Sequence, residues 1–295
     1  MKDKVYTQMF SLLKTSPDGL LNALEVVARI GWDGIEAMGT NTGGLSRKDF
    51  RKYVEDLDLK IISFHSLQGE EDYAFAQEFG AKFTDVRLPH EAVTREDIVA
   101  ACDKMNQQAN LISKYGMKAV IHNHGNEFFE LTDDMGTTCA YDLMLENTDP
   151  DLVGFEFDLG WAARAGVDVV DYIKKHAGRF PLLHVKECNK AGANHDEIDH
   201  FPKWIMELNS DKLVDGKVIK GAPGFTSEQK RLLDESRRWN VALGDGMLDW
   251  AAIRDAAEAQ GIAAYINERE NYDIPGGDND PVKCNELDYK FLRAL

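Results

Sequence analysis

Two apolar runs, Phe155-Glu156-Phe157-Asp158 and Leu182-Leu183-His184, each end in a group that can hold a hard cation, with a helix-sized interval between them. Two strands that end this way would deliver a carboxylate and an imidazole to one point. Other short apolar runs end similarly: Glu36; His65; His122 with His124 and Glu127; His184 with Lys186; Glu268 with Glu270. A single charged strand end is ordinarily a solvated loop start, but the joint set calls for a shared role. Three carboxylates and one imidazole suit a divalent ion, with Mn²⁺ favoured and Mg²⁺ or Co²⁺ next, ahead of Zn²⁺ because no thiolate is offered. Such an ion holds adjacent oxygens of a sugar and polarises a carbonyl, so that a carboxylate can remove the neighbouring proton.

The elements that would position these groups repeat a strand, a helix and a glycine stop. Val5 to Phe10, Trp32 to Glu36, Lys60 to His65, Phe83 to Leu88, Lys118 to His122, Val153 to Asp158, Leu182 to Val185 and Ala263 to Glu268 read as strands. Between them fall helical patterns, from Leu20 to Ile30 (opened by Ser16-Pro17-Asp18), Ser46 to Leu57, Tyr73 to Phe79, Glu96 to Tyr115, Thr137 to Glu146, Val167 to Lys175 and Leu248 to Gln260. A last helix runs from about Asp280 to Leu295. Eight strands alternating with helices predict an α/β fold, a (β/α)8 TIM barrel in one domain spanning residues 1–295. An open doubly wound sheet is the competing layout, but no G-x-G-x-x-G follows a strand and there is no P-loop. Regularity fails at residues 188–243, an insertion between strands seven and eight with a Trp204-centred turn, a charged helix near Ser227 to Trp239, and loop histidines His195 and His200 that read as solvated. It is expected over the barrel mouth, as a lid or a dimer contact.

The motifs His122-Asn123-His124-Gly125-Asn126-Glu127, Phe157-Asp158-Leu159-Gly160-Trp161, His184-Val185-Lys186-Glu187, Leu243-Gly244-Asp245-Gly246 and Ile266-Asn267-Glu268-Arg269-Glu270 resemble, in order, the signatures of the xylose isomerase-like TIM-barrel superfamily. The nearer likeness is to its sugar phosphate isomerase/epimerase branch, which includes inosose dehydratase-like and ketose 3-epimerase-like proteins. The resemblance implies one divalent metal ion held by Glu127, Asp158, His184 and Glu268. It also implies that Glu127 and Glu268 exchange protons with the substrate from opposite faces. His124, Lys186, His65 and Glu36 would then bind hydroxyls. Epimerases of the branch often carry histidine three residues after the second carboxylate; here Trp161 stands there, as a wall for a sugar face or as packing.

The expected activity is a metal-dependent isomerase/epimerase acting next to the carbonyl of a ketose or keto-sugar. The alternative is a lyase or dehydratase on a keto-sugar, keto-glycoside or inosose, which shares the first proton abstraction. An apurinic endonuclease is a distant alternative, because a net charge of -17 opposes phosphate backbones. A sugar-binding protein without catalysis would have no need of both acid/base glutamates. With 43% hydrophobic residues there is ample material for a core. No apolar run is long enough for a membrane span, Met1 to Val5 lacks a signal h-region, and Cys102, Cys139, Cys188 and Cys284 form no C-x-x-C pair. A cytoplasmic protein with reduced thiols and a small-molecule sugar or polyol partner is expected, with no nucleic acid and no membrane, as is a homo-oligomer if the insertion is a dimer contact.

Overall fold

A computed structural model describes residues 4–13, 19–198, 212–214, 217–219, 231 and 235–295. Its strands are β1 (Val5–Gln8), β2 (Gly34–Met38), β3 (Lys60–His65), β4 (Phe83–Asp85), β5 (Lys118–His122), β6 (Glu130–Asp133), β7 (Gly136–Cys139), β8 (Val153–Asp158), β9 (Leu182–Val185), β10 (Lys212–Val214), β11 (Lys217–Ile219) and β12 (Ala264–Asn267). Eight of them close a barrel in the order β1-β12-β9-β8-β5-β4-β3-β2, every neighbouring pair parallel. The expected (β/α)8 barrel is therefore what forms.

Strand alternation divides the interior into two cores. On β8, Val153, Phe155 and Phe157 face the helices, where Phe157 lies 4.9 Å from Phe180 and 5.5 Å from Tyr172 between ring centroids. The opposite faces of the strands point down the barrel axis. There Tyr6, Phe83, Val120, Leu182, Ala264 and Ile266 form a separate apolar floor. Above it the inward side chains turn polar. The ladder between β2 and β3 slips after Ile35, so that Ile35 faces Ile61 but Glu36 faces Ser63. Such a bulge re-aims side chains, and this one sets Glu36 opposite Ser63, from where its carboxylate reaches the His65 ring at 3.2 Å.

The covering helices start where capping residues allow. Ser46 accepts the N–H of Asp49 ahead of the helix Arg47–Asp56, Thr94 and Asp97 form a capping box for Arg95–Ser113, and Asp249 caps Trp250–Ala259. Several expected bounds change. Strand one ends at Gln8 and gives way to a helical turn, Phe10–Leu13, and strand four ends at Asp85. The helix read from Thr137 begins at Ala140, because Gly136–Cys139 pairs with Glu130–Asp133 as a hairpin after β5. A short helix, Leu159–Arg164, precedes Val169–Lys175.

The segment between β9 and β12 includes a helical turn, His195–Ile198, and the antiparallel pair β10 and β11. The Ser16-Pro17-Asp18 start, the Trp204-centred turn, His200 and most of the charged helix from Ser227 lie outside the described residues. Both ends of the segment are tied to Glu187. Its carboxylate accepts the N–H groups of Cys188, Gly244 and Leu248 and the indole of Trp250. Gly246 must be glycine for this, since a Cβ there would lie 2.3 Å from Glu187 Oε1. His195 is exposed, as expected, and stacks on Phe129 with centroids 3.9 Å apart. All four cysteines are free, and burial pushes each thiol up to about 11, out of the nucleophilic range. No helix among the described residues is long and apolar enough to cross a membrane.

The last helix, Pro281–Ala294, is held to the end of β12 by a buried pair in which Arg269 donates to both oxygens of Asp288. Arg269 also donates to the carbonyls of Val241 and Asn271. Arg269→Met leaves Asp288 as an unpaired buried charge and is expected to cost about 3–5 kcal/mol. The double change Arg269→Met with Asp288→Leu is expected to recover most of that in urea denaturation.

Candidate metal centre and active site

Strand register, more than loop conformation, assembles this site. In the β5–β8 ladder His122 is the partner of Glu156, and in the β8–β9 ladder Asp158 is the partner of His184. Glu268 follows directly after the last β12–β9 pair, Asn267 with Val185. Glu156 and Asp158 are two residues apart on one strand and so share the inward face.

Asp158 is fixed by three contacts. Its Oδ1 accepts the N–H of Trp161 at 2.9 Å and caps the helix Leu159–Arg164. The Asn123 side chain accepts the Asp158 N–H at 2.9 Å and donates to its carbonyl at 3.3 Å. That helix approaches β9 closely because Gly160 has no Cβ, which would otherwise meet Lys186 Cγ and O at 2.8 Å. Asp158 Oδ2 is left facing the site, buried and without a hydrogen bond.

Two sets of ligand-type atoms result, each with its members within 4.8 Å of one another. The outer set is His122, Asp158, His184 and Glu268. The inner set is Glu36, His65, Glu156 and His184. His184 belongs to both: Nδ1 lies 3.2 Å from Glu268 Oε2 and 3.9 Å from Asp158 Oδ2, while Nε2 lies 3.0 Å from Glu36 Oε1 and 3.3 Å from Glu156 Oε1. His65 Nε2 reaches Glu156 Oε2 at 2.7 Å and Glu36 Oε2 at 3.2 Å. The His65 and His184 rings are parallel, 5.9 Å apart.

Beside the outer set stands a buried ammonium. Lys186 Nζ lies 3.1 Å from Asp158 Oδ2, 2.9 Å from Glu268 Oε2 and 2.7 Å from Glu270 Oε1. It also faces the Trp161 ring at 5.5 Å. Trp161 donates its indole N–H to Glu270 and meets Trp239 edge-on at 4.5 Å and His124 at 5.8 Å. Trp161 is thus both a packing residue and one wall of the site.

Burial and charge oppose one another throughout. Burial alone would raise the Glu36 carboxyl, but His65 and His184 outweigh it and hold it well below the usual range. At Glu156, burial and the charge of Glu36 act upward, yet His184 and His65 bring it down to about 2. Burial dominates at Asp158 and pushes it up to about 6, although Lys186 and His184 act against it. Burial and the facing His184 hold His122 well below the ordinary imidazole range, so it is a neutral ring. At Lys186 burial would favour the free amine, but Asp158, Glu268 and Glu270 keep the ammonium charged. Glu268, which burial would raise, is held low chiefly by Lys186 and is ionised.

Of the residues named from the sequence, Asp158, His184, Glu268 and Lys186 come together at the mouth, with His124 and Trp161 beside them. Glu36 and His65 meet His184 from below, fully buried or nearly so. Glu127 sits in a turn after β5, Asn126–Phe128, where its Oε2 accepts the N–H of His124 at 2.9 Å. Neither set of four includes it; the outer set takes His122 from β5. Glu156, Asn123 and the pairing role of Glu270 were not read from the sequence. The outer donors, two imidazoles and two carboxylates, with Asp158 Oδ2 paired to the Lys186 ammonium at 3.1 Å, fit a divalent ion.

Metal content separates the two candidates from β5. We expect His122→Ala, Asp158→Asn and Glu268→Gln each to weaken binding of Mn²⁺ or Zn²⁺ by tenfold or more, and Glu127→Gln by about threefold at most. The measurement is equilibrium titration followed by elemental analysis of desalted protein. The reverse order for His122 and Glu127 would return the ligand role to Glu127.

No family model matches the chain. In sequence it is 24% identical over 247 residues to an inosose dehydratase of Clostridium perfringens, a match that takes in 82% of the chain and 65% of that relative's length. In structure it is similar to a sugar phosphate isomerase/epimerase from Parabacteroides distasonis, with a TM-score of 0.70 and 21% identity over 100% of the chain and 95% of that protein. It is also similar to an IOLI protein with a bound zinc atom, with a TM-score of 0.64 and 14% identity over 99% and 96% of the two chains. The chain has the fold of the xylose isomerase-like TIM barrels and resembles their sugar phosphate isomerase/epimerases and inosose dehydratases.

Proposed function

We propose that the chain is a divalent-metal-dependent lyase that removes water from an inosose or a related keto-sugar. The observation that carries this reading is the identity of the β5 residue in the outer set. Epimerisation through a planar intermediate calls for a proton carrier on each face of the substrate. Here β5 contributes an imidazole, His122, and Glu268 is the carboxylate at the mouth opposite it. One base suffices for elimination. The inosose dehydratases to which the chain is similar support the same choice.

His122, Asp158, His184 and Glu268 would hold the ion. Once bound, a divalent ion supplies Lewis acidity that makes the C–H next to a carbonyl more acidic. Glu268, ionised beside Lys186, takes that proton. The C–H electron pair first moves toward the carbonyl, giving an enolate with its charge on oxygen; that pair then returns to form the new C=C bond as the β C–O bond breaks, and the departing hydroxide receives a proton from His124 and leaves as water. Lys186 meets the negative charge that develops on the carbonyl oxygen. Trp161 and Trp239 exclude bulk water from one side of the site, and Glu270 holds Lys186 in place.

Two-base epimerisation is the second reading. Glu127 favours it, since the turn that carries this residue follows β5 directly. A panel of ketoses, keto-glycosides and inososes in D₂O distinguishes the two. We expect loss of water from an inosose, with Glu268→Gln slowing turnover about 10²–10⁴-fold and Glu127→Gln less than about tenfold. An epimer carrying deuterium next to the carbonyl, lost equally in both variants, would establish the second reading instead.

A further inference from the structure

We propose that the inner set, Glu36, His65, Glu156 and His184, is a second divalent-cation site, separate from the outer one and sharing His184 with it. The argument starts from hydrogen-bond supply. Two carboxylates offer four oxygens, and among the described residues the side chains that face them are the imidazoles of His65 and His184, with His122 Nδ1 3.3 Å from Glu156 Oε2 but not hydrogen-bonded to it. Each Nε2 carries at most one hydrogen. Two oxygens therefore go without a donor, and these are Glu36 Oε2 and Glu156 Oε1, both on carboxylates with no exposed surface. Ser63 Oγ, on the residue paired with Glu36, is also buried and unpartnered. Orphaned acceptors of this kind are uncommon in protein interiors and call for an explanation.

A cation resolves the shortage in one step. Two imidazole nitrogens and a carboxylate oxygen from each glutamate form a four-donor set of mixed nitrogen and oxygen type, which Zn²⁺, Co²⁺ and Mn²⁺ all accept. The nitrogen-to-oxygen separations across the set, 2.7 to 3.3 Å, are those of donors gathered about a common point. Charge accounting agrees. If His184 Nδ1 serves the outer ion it must be unprotonated, which leaves a neutral ring with its single N–H on Nε2. His65 alone then faces two buried carboxylates. An inner ion takes the place of the Nε2 hydrogen, so that His184 bridges the two ions as an imidazolate, and the two positive charges of the inner ion balance Glu36 and Glu156. Because the apolar floor lies below and His184 above, this ion should exchange slowly with solvent.

The test is a count of metal. Protein produced in zinc-supplemented medium and desalted should hold two Zn²⁺ per chain by elemental analysis. A chelator should strip one rapidly and the second at least tenfold more slowly. Glu36→Gln and, independently, Glu156→Gln should each reduce the count to one, and Glu268→Gln should also reduce it to one by emptying the outer site. A wild-type count of one that Glu268→Gln removes and Glu36→Gln leaves intact would overturn the inner site while keeping the outer. A count of zero would overturn both. The wild-type count decides the matter even if a variant with a buried substitution fails to fold.

Discussion

One imidazole ring, that of His184, stands between two pairs of carboxylates, and the polar interior of this barrel depends on it. Nε2 meets Glu36 and Glu156 while Nδ1 meets Glu268 and Asp158. Charges this deep interact strongly and are costly to desolvate, so each must have its partner in place. Removing the ring would take one partner from each of four acids, leaving Glu36 and Glu156 to His65 alone and Asp158 and Glu268 to Lys186. This explains why the site is built on strands: a loop could not hold one ring within hydrogen-bond reach of carboxylates from β2, β8 and the end of β12.

The register of parallel strands then sets which chemistry is available. Because β5, β8 and β9 are aligned so that His122 neighbours Glu156 and Asp158 neighbours His184, the reactive groups lie in two stacked layers rather than one ring. The lower layer is sealed by the apolar floor and the upper one opens at the mouth. Asn123 locks the relation between β5 and β8 by bonding both the N–H and the carbonyl of Asp158. A slip of one residue in β8 would exchange Asp158 for Phe157 at the mouth. The fold and the site are in this sense one construction.

Much of this was legible in the sequence, and the exceptions have physical reasons. Polar groups at the ends of apolar runs revealed the barrel and most of the mouth, because a charged residue closing a buried strand is conspicuous. Glu156 was hidden for the opposite reason. In Val153-Gly154-Phe155-Glu156-Phe157-Asp158 the aromatic residues face the helices, so an interior carboxylate looks like one interruption in an apolar stretch. The β5 ligand was ambiguous because His122, His124 and Glu127 lie within six residues, and spacing alone cannot say where a strand ends and a turn begins. The hairpin β6–β7 escaped notice because mostly exposed strands of four residues leave no clear period.

The imidazole that β5 brings to the outer set, His122, bears on the proposed reaction type more than any feature of overall shape. Within one fold, the number of bases that can reach the substrate decides whether a proton is merely moved or a leaving group is also lost. Burial and the facing His184 hold the His122 imidazole well below its ordinary range, which makes it a poor proton acceptor. In the proposed reading Glu268 takes the proton and Lys186 meets the charge left behind, both on the side of the mouth formed by β9 and β12. With acceptor and counter-charge on one side, return of the proton with inverted configuration would need a second group, such as Glu127 in the turn after β5, to reach the other face. Under the proposed reading, expulsion of a β hydroxyl is the exit.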